Sequence, residues 1–476
     1  MASQEDIALM AHLLRRAGFG ASRAEIEAKA AQGYDAVVKE LLNPESQPAL
    51  DEDLMLRYHP SYNHAAAIEV NIQQWVYRMI NSPRQLQEKM SLFWHMIFCA
   101  GHSKIDSGEE MGRMIDMFRQ HGMGNFQELL MRLSTSPAMM YYLDNTESHK
   151  VAVNENYGRE LIELFSMGVG KDDEFNYTEN DVKACARAFT GWNAAPIYPP
   201  FPYGRSPWEF RYDPADHDDS EKTFLGETGR WNGQDIVKII CKQPATARFI
   251  SRHIYNFFVA DEVPVPSWRQ TPPKDAEAIA ILEQAYFDSG YEIKAMLQAL
   301  FTSHFFKAES ARFARVKSPA EVVVSLMRMT GEHYGDVQPG LFEISQEPKY
   351  MGMDLMNPPT VEGWHTGPEW IDSGTLVERI NFAAEYLGRT DLPGVKDMIN
   401  RLMARGTRLS PETFVDGCID MLGCLNVSAD TRQELLTYAQ RGGELRHATD
   451  AERAEFNRRC GEMFQMLAAT AEFQFC

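Results

Sequence analysis

Helix-start signals recur along this chain so often that little of it is left for any other secondary structure. Ser22 stands three residues before Glu25, the spacing at which a cap hydroxyl and a carboxylate exchange hydrogen bonds with each other's backbone N–H. Ile26 follows as an apolar anchor, Gly33 supplies a stop, and Asp35 is placed to cap a next helix, DAVVKELL, so this stretch reads as a helical hairpin. Ser82-Pro83-Arg84-Gln85 repeats the signal with proline at the first helical position and opens a helix running toward Ala100. Ser318-Pro319-Ala320-Glu321 does the same before VVVSLMRMTG, Ser410-Pro411 opens a helix ending near Gly423, and Thr178 with Asp181 is a weaker version. The fold class expected is predominantly all-α.

Two stretches break the pattern. From Ala194 to Gly233, Pro, Gly, Tyr and Trp accumulate and helical periodicity vanishes; a loop this long inside a compact body is usually functional or mobile. Within it KTFLGETGRW has the glycines for a two-stranded hairpin, the only β element expected. The second stretch, Pro348 to Gly374, carries MNPPTVEGWHTGPEW. A helical core over residues 1–390, with the excursion at 194–233, is expected, followed by a C-terminal helical segment, 391–476, packed on the same body.

Charge and composition exclude several classes. With 67 acidic against 47 basic side chains the formal charge is −20, which repels phosphate backbones and makes nucleic acid a poor partner. No apolar run approaches about 18 residues, so no membrane span is expected. The N-terminus lacks the pattern of a secretory signal, and the seven cysteines are scattered without a CxxC pair, as in a reduced, cytoplasmic protein. Phosphate-cradling glycine loops, GxSxG and HExxH are all missing, leaving nucleotide binding, serine hydrolysis and zincin proteolysis unsupported.

The richest stretch chemically is Asn154 to Gly168. On a helix, positions three and four apart share a face, so Asn156, Glu160 and Glu163 form one polar stripe, with Leu161, Leu164 and Phe165 on the apolar side. The helix after Pro83 carries a second stripe, Glu88, Ser91 and His95, with His102 beyond. Packed together, the two would bring Glu88, His95, Glu160 and Glu163 into a carboxylate and imidazole site suited to a divalent iron, manganese or zinc ion. In this reading Glu160 is a metal ligand or general base, Arg159 anchors an anionic group, and His217 carries protons. His217 lies in the long loop among Asp213, Asp216, Asp218 and Asp219, whose spacing does not fit an EF-hand. Trp192 and Trp364, with Trp208 and Trp370, fall in or beside the irregular stretches and are candidates to line a cofactor or small-molecule pocket. The competing expectation is structural: Glu160 and Glu163 pair with Arg159, Arg187 or lysines in a buried ion network, His95 is a satisfied core histidine, the acidic turn is solvated, and the 25 methionines are core filler. The functional expectations are therefore an enzyme acting on a small-molecule substrate and, as the alternative, a non-catalytic scaffold that docks a protein partner.

The blocks HLLRRAGFG, FWHMIF, NENYGRELIELFSMGVG, YTENDVKACARAFTGW, HDDSEKTFLG, QPATARFISRHIYNFFV, VKSPAEVVVSLMRMTG and PPTVEGWHTGPEW follow one another in order, with a final AEFQFC. From about His12 to Phe382 the chain resembles the bacterial family of domain of unknown function 1800. That resemblance implies no activity, cofactor or catalytic residue. Many relatives are exported, whereas no export signal is read here, and members commonly carry His where this chain has Phe165, which removes one imidazole from a metal site of that kind.

Overall fold

The computed structural model describes residues 2–51, 57, 67–171, 174–198, 207–335, 339–364 and 366–476. It is predominantly helical; among the described residues the strands make four two-stranded antiparallel sheets. Residues 199–206 of the long irregular stretch, and position 365 of the second, lie outside the described residues.

The helix Gln85–Ile97 runs through the middle of the core. Nearly every one of its side chains is buried, polar ones included, because it is covered on all sides. Phe93 packs on Phe257 and Phe258, Trp94 stacks on Phe98 and donates its indole N–H to Gly122 O at 2.7 Å, and the helices Ile68–Asn81 and Gly108–His121 lie against it. The expected division into a polar and an apolar face is therefore absent. Its start also differs: Ser82 Oγ accepts from Arg84 N–H, and the helix begins at Gln85, two residues later than proline at the first position would place it.

Other start signals operate as read. Ser318 with Glu321 and Thr178 with Asp181 form reciprocal boxes, and Ser410 accepts from Thr413 N–H. Ser22 accepts from Glu25 N–H, while the Glu25 carboxylate turns to Arg328. Asp35 does not cap; Gly33, at φ +91°, precedes the helix Tyr34–Leu41 directly.

The hairpin Lys222–Phe224 with Glu227–Gly229 is present. Leu225 and Gly226 both have positive φ (+46° and +82°), the backbone that lets two residues join strongly twisted strands. A longer hairpin pairs Trp192–Pro196 with Trp208–Tyr212, which the expectation of a single β element missed. Short pairs also join Gly170–Lys171 to Glu174–Phe175 and Arg408–Leu409 to Leu445–Arg446.

Toward the end of the chain the helix Asp450–Ala468 packs on Ser373–Gly388. The AEFQFC segment is tied back to residues 315–317: Cys476 N–H donates to Arg315 O at 2.8 Å, Lys317 N–H to Gln474 O at 2.9 Å, and Arg379 Nε to Gln474 Oε1 at 2.9 Å. No helix among the described residues is long and apolar enough to cross a membrane.

Candidate functional site

The signature helix is short, Asn156–Glu163, and its last turn unwinds through Phe165 to Gly168, whose φ of +71° redirects the chain. Leu161, Ile162 and Phe165 are fully buried, Phe165 edge-on to Phe98 at 5.7 Å. Gly158 is the contact point with the next helix, Glu179–Ala188: a Cβ there would lie 2.8 Å from Ala186 N and 3.0 Å from its Cα. This approach fixes which way the polar stripe faces.

On that stripe, Glu163 Oε2 accepts from Tyr177 OH at 2.6 Å. Asn156 donates its amide to Leu143 O, a structural bond. Glu160 is half-buried, and the described residues give its carboxyl no hydrogen bond or ion pair. Loss of hydration first, then the Glu163 charge, push its pKa up to about 7, against an opposing pull from Arg159 and with a lesser push from Glu362. The expected pairing of these glutamates with arginine is not formed. Arg159 is turned to Glu179, bidentate at 2.8 and 2.9 Å, and Arg187 to Asp218 at 2.6 Å.

Glu163 stands on the wall of a cavity of about 870 Å³. The turn Glu163–Gly170 forms one side, and Phe93, Met96 and Ile97 from the central helix form the floor. The helix Pro244–Phe258 contributes Phe249, Arg252 and His253, and the segment 264–273 contributes Trp268, Arg269 and several prolines. Glu362, Trp364 and Thr366 close the remaining side. Gly363 holds that last segment in place. At φ +82° it lies so close to the end of the central helix that a Cβ would come within 2.6 Å of Cys99 Sγ and 2.7 Å of Met96 O.

The basic groups of the cavity are already engaged. Arg252 pairs with buried Glu262 at 2.8 Å and lies over the Trp268 ring at 4.5 Å; Arg248 reaches Glu283 at 3.0 Å; Arg269 lies over Phe175 at 4.7 Å. His253 is wedged between Phe249 and Trp268, and burial with the Arg252 charge beside it lowers its pKa to about 3, so the ring is neutral.

The other expected site residues lie elsewhere. His95 sits between the rings of Trp75 and Trp364, its Nε2 accepts from Met356 N–H at 3.0 Å, and burial holds its pKa at about 3. Glu88 is buried against Arg119 at 2.6 Å. The convergence of Glu88, His95, Glu160 and Glu163 on one metal does not occur, and among the described residues no group of three or more His, Cys, Asp or Glu is placed to hold an ion. The physical reason is the all-round burial of the central helix, which leaves Glu88 and His95 needing partners within the core. His217 donates from Nδ1 to Thr190 O at 2.9 Å, with Asp216 bound to His149 and Asp218 to Arg187; this pinned turn is not part of the cavity lining. Trp192 is buried between Phe189 and Phe210, away from the cavity, whereas Trp364 lines it. Of the two irregular stretches whose tryptophans are candidates to line a pocket, the second supplies Trp364, while no described residue of 194–233 lines the cavity; residues 264–273 do, and their sequence VPSWRQTPP resists helix and carries a Trp beside an Arg. That composition was the available signal.

Glu160 also makes stability depend on pH. Its folded pKa lies above its ordinary 4.5, so its favourable contribution is complete below that value and is lost as pH rises through about 7. Glu160→Gln removes that loss. The variant should match the parent near the acid end and exceed it in alkaline buffer by about 1 to 2 kcal/mol, the full shift being discounted for a half-exposed group. Urea unfolding across the pH range measures this; a less stable variant at alkaline pH would mean that Glu160 is structurally paired.

No curated protein and no solved structure matches the chain significantly. The described family that does match covers residues 12–475, extending the likeness through the polar C-terminal helices to the terminal segment. The chain therefore belongs to the family described as protein of unknown function (DUF1800).

Proposed function

We propose that this protein is an enzyme that takes a small, largely apolar molecule into the 870 Å³ cavity and acts on it by proton transfer through Glu163, with Glu160 and Glu362 as its acidic neighbours. The supporting observation is the position of Glu163. It stands on the wall of a cavity of ligand size that Glu362, from a separate segment, also lines, and Glu160, which has no hydrogen bond or ion pair among the described residues, lies one helical turn behind. Burial and the neighbouring Glu163 and Glu362 charges keep a proton on Glu160 toward neutrality, and Glu163, on the cavity wall, is the carboxylate placed to exchange one with a bound molecule. Tyr177 orients Glu163.

Untargeted metabolite profiling tests this reading for a substrate of any structure. Purified protein is incubated with a small-molecule cell extract and the mixture is profiled by mass spectrometry, beside Glu163→Gln and Ala245→Trp, the latter filling the cavity from its wall. Compounds converted by the parent should be spared by Ala245→Trp, and Glu163→Gln should slow their conversion by about 100-fold. If both folded variants behave as the parent does, the reading is wrong. A scaffold reading draws on the buried Lys89, Arg315 and Glu321 network, and under it neither variant alters any compound.

A further inference from the structure

The cavity's charge is not evenly spread. Of its carboxylates, Glu283 is answered by Arg248, and Glu163 and Glu362 are left without a cationic partner among the described residues. The charges acting on Glu160 are those of Glu163, Glu362 and Arg159; the cavity arginines are not among them. Arg159, the one cation among the described residues that acts on Glu160, spends its two terminal guanidinium nitrogens on Glu179. Beside Glu362, two residues on, Trp364 lines the same cavity. Trp268, the other indole of the cavity, already carries a guanidinium over its ring, that of Arg252.

From this juxtaposition we infer that the part of the cavity lined by Glu163, Glu362 and Trp364 recognises an organic cation, an alkyl- or arylalkylammonium group whose apolar body lies along Phe93, Met96 and Phe249. The inference rests on the cavity being the functional site. An ammonium here meets two carboxylates and an aromatic face, the combination that binds amines in preference to neutral isosteres. A metal ion is a poor match, since among the described residues no three His, Cys, Asp or Glu side chains are placed to hold one. The raised Glu160 pKa agrees: Glu163, Glu362 and the Tyr142 phenol surround it, and the one opposing charge, Arg159, is bound to Glu179, so a ligand cation would supply charge that this carboxyl is short of. Bound ammonium should lower that pKa and drive release of part of a proton at neutral pH.

Three probes of one shape decide the matter: 4-phenylbutylammonium, 4-phenylbutanol and 4-phenylbutanoate, titrated into the full chain by calorimetry in two buffers of different ionisation heat. The expected order is ammonium tightest, by about tenfold over the alcohol, with the carboxylate weakest. Proton release should accompany the ammonium alone. Glu362→Gln should weaken the ammonium by about tenfold and leave the alcohol unchanged. Equal or tighter binding of the carboxylate, or of the alcohol, with both lost in Ala245→Trp, overturns the cation inference and leaves the cavity as a site. No binding by any probe, or binding that survives Ala245→Trp, overturns both.

Discussion

Replacing Glu321 with Gln is expected to remove about 3 to 5 kcal/mol of stability, the cost of leaving buried charges unanswered. Glu321 is buried at the first turn of the helix Pro319–Thr330. Its two oxygens each accept from Arg315 Nη1 at 2.8 Å, Oε1 also takes Lys89 Nζ, and Oε2 closes the capping box with Ser318 N–H at 2.7 Å. Lys89 and Arg315 are themselves buried, lying over the ring of Phe257, a residue that also lines the cavity. Gln keeps one oxygen as the acceptor for the cap and sets an NH2 donor where the other oxygen met Arg315 and Lys89, so the effect falls on the ion network. Urea denaturation reads it, and adding Lys89→Met should recover part of the loss because one stranded cation is gone. The neighbouring cations hold the Glu321 pKa well below its ordinary value, so its contribution is present above about 4.5 and is lost as pH falls toward the folded pKa. The Gln variant should lack that part of the acid dependence. A loss under about 1 kcal/mol, the usual cost of an average substitution, would show that the network is not where the fold is held.

Gly158→Val should be nearly as severe, at about 3 kcal/mol. Overpacking costs this much where neighbours cannot yield, and the atoms that a Cβ meets at Gly158 are backbone atoms of Ala186. The helices Asn156–Glu163 and Glu179–Ala188 would have to separate, carrying Glu160 and Glu163 away from Glu362. The loss of stability should therefore come with a fall of the Glu160 pKa toward the ordinary carboxylate value as water enters. Gly158→Ala, with a smaller group, should show both effects in reduced form. A Val variant as stable as the parent would mean the two helices are free to shift.

The chain's local chemistry made the helices legible, because a cap such as Ser318 with Glu321 or Thr178 with Asp181 acts within four residues and depends little on what surrounds it. The hairpin around Leu225 and Gly226 was legible for the same reason. The pairing of Trp192–Pro196 with Trp208–Tyr212 was not, since its two strands are separated in sequence and carry no tight-turn signature. Glu88 and His95 misled because a sequence shows which residues share a helical face and not whether that face meets water. In a helix enclosed on every side, a polar side chain finds a partner inside the core, here Arg119 and the Met356 amide. Glu163 stood out because it closes a stripe of acids on a helix. Glu362, Trp268 and His253 did not, because three distant segments bring them to the cavity and tertiary packing alone decides that meeting. Arg159 looked like an anchor for a ligand, and its answer to Glu179, twenty residues on, depends on the crossing at Gly158.

The most direct test of the account is the protonation of Glu160 itself. Protein labelled with carbon-13 at glutamate side-chain carboxyls, titrated by NMR and assigned by comparison with Glu160→Gln, should show one carboxyl changing state at about 7, shifted downward on binding 4-phenylbutylammonium. A Glu160 resonance that titrates at or below the ordinary 4.5, unmoved by any cavity ligand, would contradict the assignment of this cavity as a proton-transfer site.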